Sequence, residues 1–267
     1  YMKDELESEF LRGMEFYGKE KYAAAIRFFD HFAENSSSGN PDMIADAGFF
    51  SAMSALKLFN TDAEYRMKRF IASYPDSPHV IEGRMALAGY FYQNKTWRKA
   101  SSYYESVNRL ELPAERLPEY FFKSGYSHYM SGDKETALLM FSEIKDIDTD
   151  YTPPALYYFS HIAYEEKKYE TALDGFVRLK NDETFGSVVP FYIVQLLYLK
   201  KDHDEILNLA PELLKSAGPQ RSVELFRFSG DAHYNKGNYA EAIGYLEKYS
   251  AGAKASGRED KYQLAYC

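Results

Sequence analysis

Two stretches of this chain, 105 residues apart, are spaced copies of one another. Gly125-Tyr-Ser-His-Tyr-Met-Ser-Gly-Asp-Lys-Glu-Thr-Ala137 and Gly230-Asp-Ala-His-Tyr-Asn-Lys-Gly-Asn-Tyr-Ala-Glu-Ala242 share a Gly, a His-Tyr pair, a second Gly and an Ala at the same offsets. Near the N-terminus, Gly13-Met-Glu-Phe-Tyr-Gly-Lys-Glu-Lys-Tyr-Ala-Ala-Ala25 repeats the outer Gly and Ala with the same separation of twelve. A chain that copies itself at such periods is built of supersecondary units, each of which buries its apolar face by stacking on its neighbours.

Within each copy the apolar spacing is helical. A small residue recurs at Ala25, Ala63, Ala100, Ala137, Ala172 and Ala242, with Ile206 in the sixth place, at spacings of 38, 37, 37, 35, 34 and 36. Four residues on comes a large apolar side chain, at Phe29, Met67, Tyr104, Phe141, Phe176 and Leu246. Three further on lie Phe32, Phe70, Val107, Ile144, Leu179, Leu213 and Tyr249, which completes an i, i+4, i+7 stripe. The pattern predicts antiparallel helix pairs such as Glu119 to Met130 with Lys134 to Ile144, brought close by Gly125 and Ala137. Pro75, Pro78, Pro113, Pro118, Pro153, Pro154, Pro190 and Pro219 fall between units or in first helical turns, where a missing N–H costs little. No cluster of strand-type alternation competes.

The small, Tyr, Tyr, small and aromatic pattern in two antiparallel helices resembles the tetratricopeptide repeat (TPR), and the resemblance covers nearly the whole chain. It implies an all-α, right-handed αα superhelix, a TPR solenoid of seven helix-turn-helix repeats plus a truncated eighth. The expected units are 4–35, 41–75, 78–112, 118–148, 153–182, 187–217 and 222–251, with a partial 258–267, in a single array over 1–267. About 14 full helices and a fifteenth opened by Tyr262 to Cys267 are expected, as if more of the parent protein followed. Repeat two departs from the pattern, with Ser51, Ser54 and Ala55 at aromatic and small positions. Repeat six, with Ile206 for Ala and Pro211 inside its second helix, is expected to be the most distorted, that helix short or kinked. The connector from Asn35 to Asn40 reads as the clearest flexible loop.

Composition then removes function classes. The formal net charge of -8 opposes phosphate, so nucleic acid is not an expected partner. No window supplies the roughly 18 uncharged apolar residues of a membrane span. The lone cysteine, Cys267, allows neither an internal disulfide nor a cysteine metal cluster. The opening at Tyr1 without a charged-then-apolar leader reads as a chain with no signal peptide or one already trimmed. No His-Glu-x-x-His string, phosphate loop or Gly-x-Ser-x-Gly elbow occurs, and no metal or cofactor is expected. Asp146 to Asp150 lacks the Gly and distal Glu of a calcium loop and reads as an acidic turn. His128 and His233 share one repeat position, usually Tyr in the family, and read as helix-packing residues; His31 and His203 fall on or before second helices, and His79 in a proline-rich turn.

What remains is surface, and the chain has 25 Tyr and 19 Phe to place on it. In an array of this kind the first helices line the inner face, with two inward positions seven residues apart. The first reads Phe10, Gly48, Met85, Phe122, Tyr157, Phe191 and Arg227, and the second Tyr17, Ala55, Tyr92, Tyr129, Tyr164, Tyr198 and Tyr234. Tyr126, His161, Gln195 and Asp231 lie between them. Two readings are open: the rings cement neighbouring helices, as Tyr at the second position commonly does in the family, or they form a binding strip. Under the second, Tyr92, Phe122, Tyr126, Tyr129, Tyr157, His161, Tyr164, Phe191, Tyr198 and Tyr234 contact a partner protein or peptide, since rigid tyrosines give contact area at low entropic cost. Family members that hold chaperone tails use Lys, Asn and Arg where this chain has Met14, Ala52, Gly89 and Tyr126, so that clamp is absent. The expected function is a non-catalytic interaction scaffold; a sensing arm of a regulator and a recruiting arm of an enzyme are the alternatives. Phe70-Ile-Ala-Ser-Tyr-Pro-Asp-Ser-Pro78 resembles the repeat junctions of bacterial envelope proteins of outer-membrane assembly and cell-division coordination, which points to the periplasm, with the cytoplasm as the alternative.

Overall fold

A computed structural model describes residues 2–36, 40–253 and 257–267. Every regular element among them is helical. Fourteen helices pair in chain order into seven hairpins: α1 (Met2–Gly18) with α2 (Tyr22–Asn35), α3 (Pro41–Lys57) with α4 (Ala63–Ser73), α5 (Val80–Gln93) with α6 (Trp97–Glu105), and α7 (Leu117–Ser131) with α8 (Lys134–Ser142). Then follow α9 (Thr152–Glu165) with α10 (Tyr169–Arg178), α11 (Val189–Lys200) with α12 (His203–Ser216), and α13 (Pro219–Asn235) with α14 (Tyr239–Gly252). A fifteenth helix, α15 (Arg258–Tyr266), packs on α14. This is the all-α succession that the repeat predicts. Of the expected loop at 35–40, residues 37–39 lie outside the described residues. No described helix is long and apolar enough to cross a membrane.

The chain divides into two compact units, Tyr1–Ile144 and Lys145–Cys267. In the first, each helix packs on the next, and α1, α3, α5 and α7 also touch in succession. In the second, α9 to α14 pack in the same serial way and α11 touches α13.

The core is the predicted stripe. Ala25, Ala63, Ala100, Ala137, Ala172, Ile206 and Ala242 have no exposed surface, and Phe29, Met67, Tyr104, Phe141, Phe176 and Leu246 are buried beside them. At the next turn only Leu213 is left half-buried. A Cβ added to Gly125 would come 2.9 Å from Met140 Cβ and Phe141 Cε1, so the glycine lets α7 ride against the aromatic plug of α8. At Gly230 the same atom would lie 2.7 Å from Leu246 Cδ2.

Three helix starts are capped by side chains that supply acceptors to the first unbonded N–H groups. Asn40 accepts from Asp42 N (3.0 Å), Asp133 from Thr136 N (3.1 Å) and Asp202 from Glu205 N (3.3 Å). Proline occupies the first or the second position of α3, α7, α9, α11 and α13.

The seven turns inside the hairpins share one backbone scheme. Each holds a residue at positive φ: Glu20, Phe59, Lys95, Gly132, Lys167, Lys201 and Gly237, with φ between 55° and 95°. Its N–H bonds three residues back, to Tyr17, Leu56, Tyr92, Tyr129, Tyr164, Tyr198 and Tyr234. The following N–H bonds five back, to Phe16, Ala55, Phe91, His128, Ala163, Leu197 and His233. This pair of bonds is the Schellman termination, which satisfies carbonyls that the ending helix would leave open.

The expected shortness of one helix and the expected register of another are corrected. The second helix of repeat six is not short: α12 runs 14 residues with Pro211 inside it, against nine for α6 and α8. Pro211 lies on the exposed side of this helix, and Ile206 and Ala210 are on its buried face. In repeat two the register shifts by one. In six hairpins the N–H of the small residue bonds four back to the carbonyl that follows the positive-φ residue, as Ala25 does to Lys21; in the second, Ala63 N reaches Asn60 O only three back. That tightened turn makes Phe49, Met53 and Leu56 the equivalents of the inward series in place of Gly48, Ala52 and Ala55, and Ala52 takes the small place. Ser51 serves a polar tie instead: its Oγ donates to Asp30 (2.6 Å), whose carboxylate also takes Arg66 (2.8 Å), itself bonded to Asp62 (2.6 Å).

Candidate functional site

All ten residues of the expected aromatic strip lie on first helices of hairpins, and all ten are half-buried. In the first unit, Tyr92 of α5 and Tyr126 of α7 meet edge to face at 5.8 Å. Trp97, at the start of α6, is edge-on to both, at 5.6 and 5.4 Å. Phe122 stacks on Tyr126 at 6.0 Å and leans on the plug Phe141, and Tyr126 continues to Tyr129 at 6.5 Å. These edge-to-face and offset geometries are the ones that ring quadrupoles favour. Lys123 places its ammonium 5.7 Å from the Tyr92 ring.

In the second unit the hub is Tyr192 of α11, which the sequence did not single out. It stacks on the plug Phe176 at 4.9 Å and lies edge-on to His161 (5.7 Å), Tyr164 (5.8 Å) and Tyr157 (6.4 Å). Tyr157 also stacks on Phe185 at 4.6 Å. Phe191, one residue before Tyr192, carries the Arg221 guanidinium 4.4 Å above its ring. Tyr198 packs on Phe228 at 4.4 Å, and Tyr234 meets Tyr239 and Tyr266 edge-on.

One register position explains the residues that were missed. Phe50, Lys123, Tyr192 and Phe228 each lie nine residues before the positive-φ turn residue of their hairpin. Each turns back onto the second inward ring of the preceding hairpin: Phe50 onto Tyr17, Lys123 onto Tyr92, Tyr192 onto Tyr164 and Phe228 onto Tyr198. The strip rings are therefore partly inter-repeat packing, as the first of the two sequence readings holds. Their half-burial leaves surface for the second.

The strip ends in polar chemistry. Tyr198 donates its hydroxyl to Asp231 at 2.5 Å, and burial, reinforced by that carboxylate, pushes the phenol above its ordinary range. Asp231 is itself buried, which raises its carboxyl despite the bond from Tyr198. Asp260 of α15 is buried with three donors on it: Arg227 Nε (3.2 Å), the Tyr249 hydroxyl (3.2 Å) and Gly257 N (2.7 Å).

Three of the histidines have packing or hydrogen-bond partners. Buried His128 bonds Asp133 at 3.0 Å, His233 stacks on Tyr245 at 5.4 Å with burial lowering its basicity, and His79 lies flat on Phe49 at 4.3 Å. Among the described residues no three His, Cys, Asp or Glu side chains converge as a metal site requires. Asp146, in the acidic turn after α8, is taken up by Lys145 and Arg178.

No protein-family model matches this chain, and no curated protein matches it. Solved structures do. The C-terminal part of a TPR repeat-containing protein from Cytophaga hutchinsonii aligns with a TM-score of 0.59 at 14% identity, covering 96% of this chain and 99% of that one. A tetratricopeptide repeat protein from Parabacteroides merdae aligns at 0.52 with 11% identity, covering 97% of each. PilF of Pseudomonas aeruginosa aligns at 0.51 with 15% identity, covering 80% of this chain and 93% of that one. At such identities the likeness is one of fold, and the fold of this chain is the tetratricopeptide-repeat solenoid.

Proposed function

We propose that this chain is a non-catalytic scaffold that takes a segment of a partner protein or peptide against the aromatic strip of its first helices. The observation that carries the reading is the half-burial of all ten strip residues: each ring is held by a neighbour and still keeps surface. A ring so braced loses little entropy on binding, which is why tyrosine and phenylalanine concentrate at interfaces. The net charge of -8 favours a protein over a nucleic-acid partner. A bacterial envelope setting rests on the junction from Phe70 to Pro78 alone, and fractionation of the source cells decides it.

The test is capture. Tyr129→Ala and Tyr157→Ala each remove one ring, and truncation of an interface anchor costs about 2 kcal/mol or more. Partner capture from source-cell extract should fall strongly for the double variant while circular dichroism stays helical. Capture at wild-type level with both rings gone would reduce the strip to repeat cement.

A further inference from the structure

At the end of the strip, in the second unit, α11, α13 and α15 enclose a cleft of about 450 Å³. Its aromatic walls are Tyr198, Tyr234 and Tyr262. Asp231, Glu259 and Asp260 line it against Lys201 and Arg227, three formal negative charges to two positive. Two of the lining side chains, Asp231 and Gln263, are 6% and 7% exposed. Each has an acceptor oxygen, Asp231 Oδ1 and Gln263 Oε1, with no donor among the described residues. His203 also lines the cleft with its Nδ1 buried and unmatched, an atom that accepts in one tautomer, whereas Asp231 Oδ2 takes the Tyr198 hydroxyl and Asp260 holds Arg227, Tyr249 and Gly257. Buried polar atoms almost always have partners, and the unmatched acceptors of this recess call for N–H donors.

We infer that this cleft seats the ammonium of a lysine side chain, presented by the partner segment that lies on the strip. An ammonium brings three donors and no acceptor, so it suits a recess whose unmatched atoms are acceptors. Its charge is attracted to the faces of aromatic rings, of which the cleft has three. Arg227 does not fill the role, because its Nε is engaged by Asp260. The inference rests on the scaffold reading for the source of the lysine, but the cleft chemistry can be tested without any partner.

The probe is Nα-acetyl-lysine methylamide, titrated into the isotopically labelled full chain in about 0.15 M salt, where screening beyond roughly 8 Å suppresses diffuse attraction to the acidic protein. Saturable amide shifts confined to α11, α13 and α15 are expected, and none from the Nε-acetylated compound, which has lost the charge. Asp231→Asn should weaken binding by about tenfold or more, the usual worth of a charge-assisted hydrogen bond. Gln263→Met, which keeps the volume and removes the acceptor, should weaken it by a smaller factor and decides the matter if Asp231→Asn perturbs folding. Glu183→Gln, an exposed charge elsewhere in the same unit, should change nothing. Equal shifts from the acetylated compound, or unaltered titrations for both cleft variants, would overturn the inference. Because the strip is tested separately through Tyr129 and Tyr157, a silent cleft with a strip that captures its partner removes the lysine site alone. A lysine-binding cleft with a dispensable strip removes the strip alone.

Discussion

The residues that set each hairpin are the exposed ones at positive φ. Only two of the seven are glycine, although a side chain in the left-handed region costs about 1–2 kcal/mol. Lys167 is exposed at φ 61°. Lys167→Gly should raise stability by about 0.5–1 kcal/mol, part of the relief being returned as added freedom of the unfolded chain. Gly132→Ala should cost about 1 kcal/mol, and urea titration of both reads the sign. The small positions make the opposite demand, since nothing around them yields. Ala100→Leu and Ala137→Leu should each cost about 1–3 kcal/mol by overpacking, whereas the same change at exposed Ala114 should be near neutral. Equal losses at all three sites in that titration would contradict the packing register.

At the scale of elements, helix pairs, plugs and small residues were legible because side chains four and seven apart share one face of a helix. Two features were not. The register of α3 was misplaced because alignment on Ala63 assumes a turn of constant length, and the shortened bond from Ala63 to Asn60 breaks that assumption. Tyr192 was passed over because it sits one residue beyond an inward position and faces the hairpin before it, a direction that periodicity within one helix does not report. The ten strip residues were placed on first helices by pattern alone, but their contacts across hairpins and the recess around Asp231 depend on tertiary proximity. Besides the packing of Tyr266 on Tyr234 and Tyr239, α15 is tied by one buried carboxylate, Asp260, which joins it to Arg227 of α13 and Tyr249 of α14. Asp260→Ala leaves those donors without their acceptor. Amides of 258–266 should then exchange much faster while those of α13 keep their protection, and unchanged exchange in α15 would show that packing alone holds it.

Within each unit contacts are serial, so its stability is close to a sum of hairpin and nearest-neighbour terms and unfolding can proceed by parts. Ala137→Leu, in the first unit, should depress amide protection in α7 and α8 while protection in α11 to α13 of the second stays at its wild-type level. A uniform drop across both units would mean a single cooperative body. The seven hairpin turns lead further. Every one closes with the same pair of N–H to carbonyl bonds, yet the residue at its pivot is glutamate, phenylalanine, lysine or glycine. What recurs there is main chain, which every amino acid but proline can supply. A turn built this way fixes its geometry without fixing its letters, and this chain superposes on other solved solenoids at 11–15% identity while it matches no family profile.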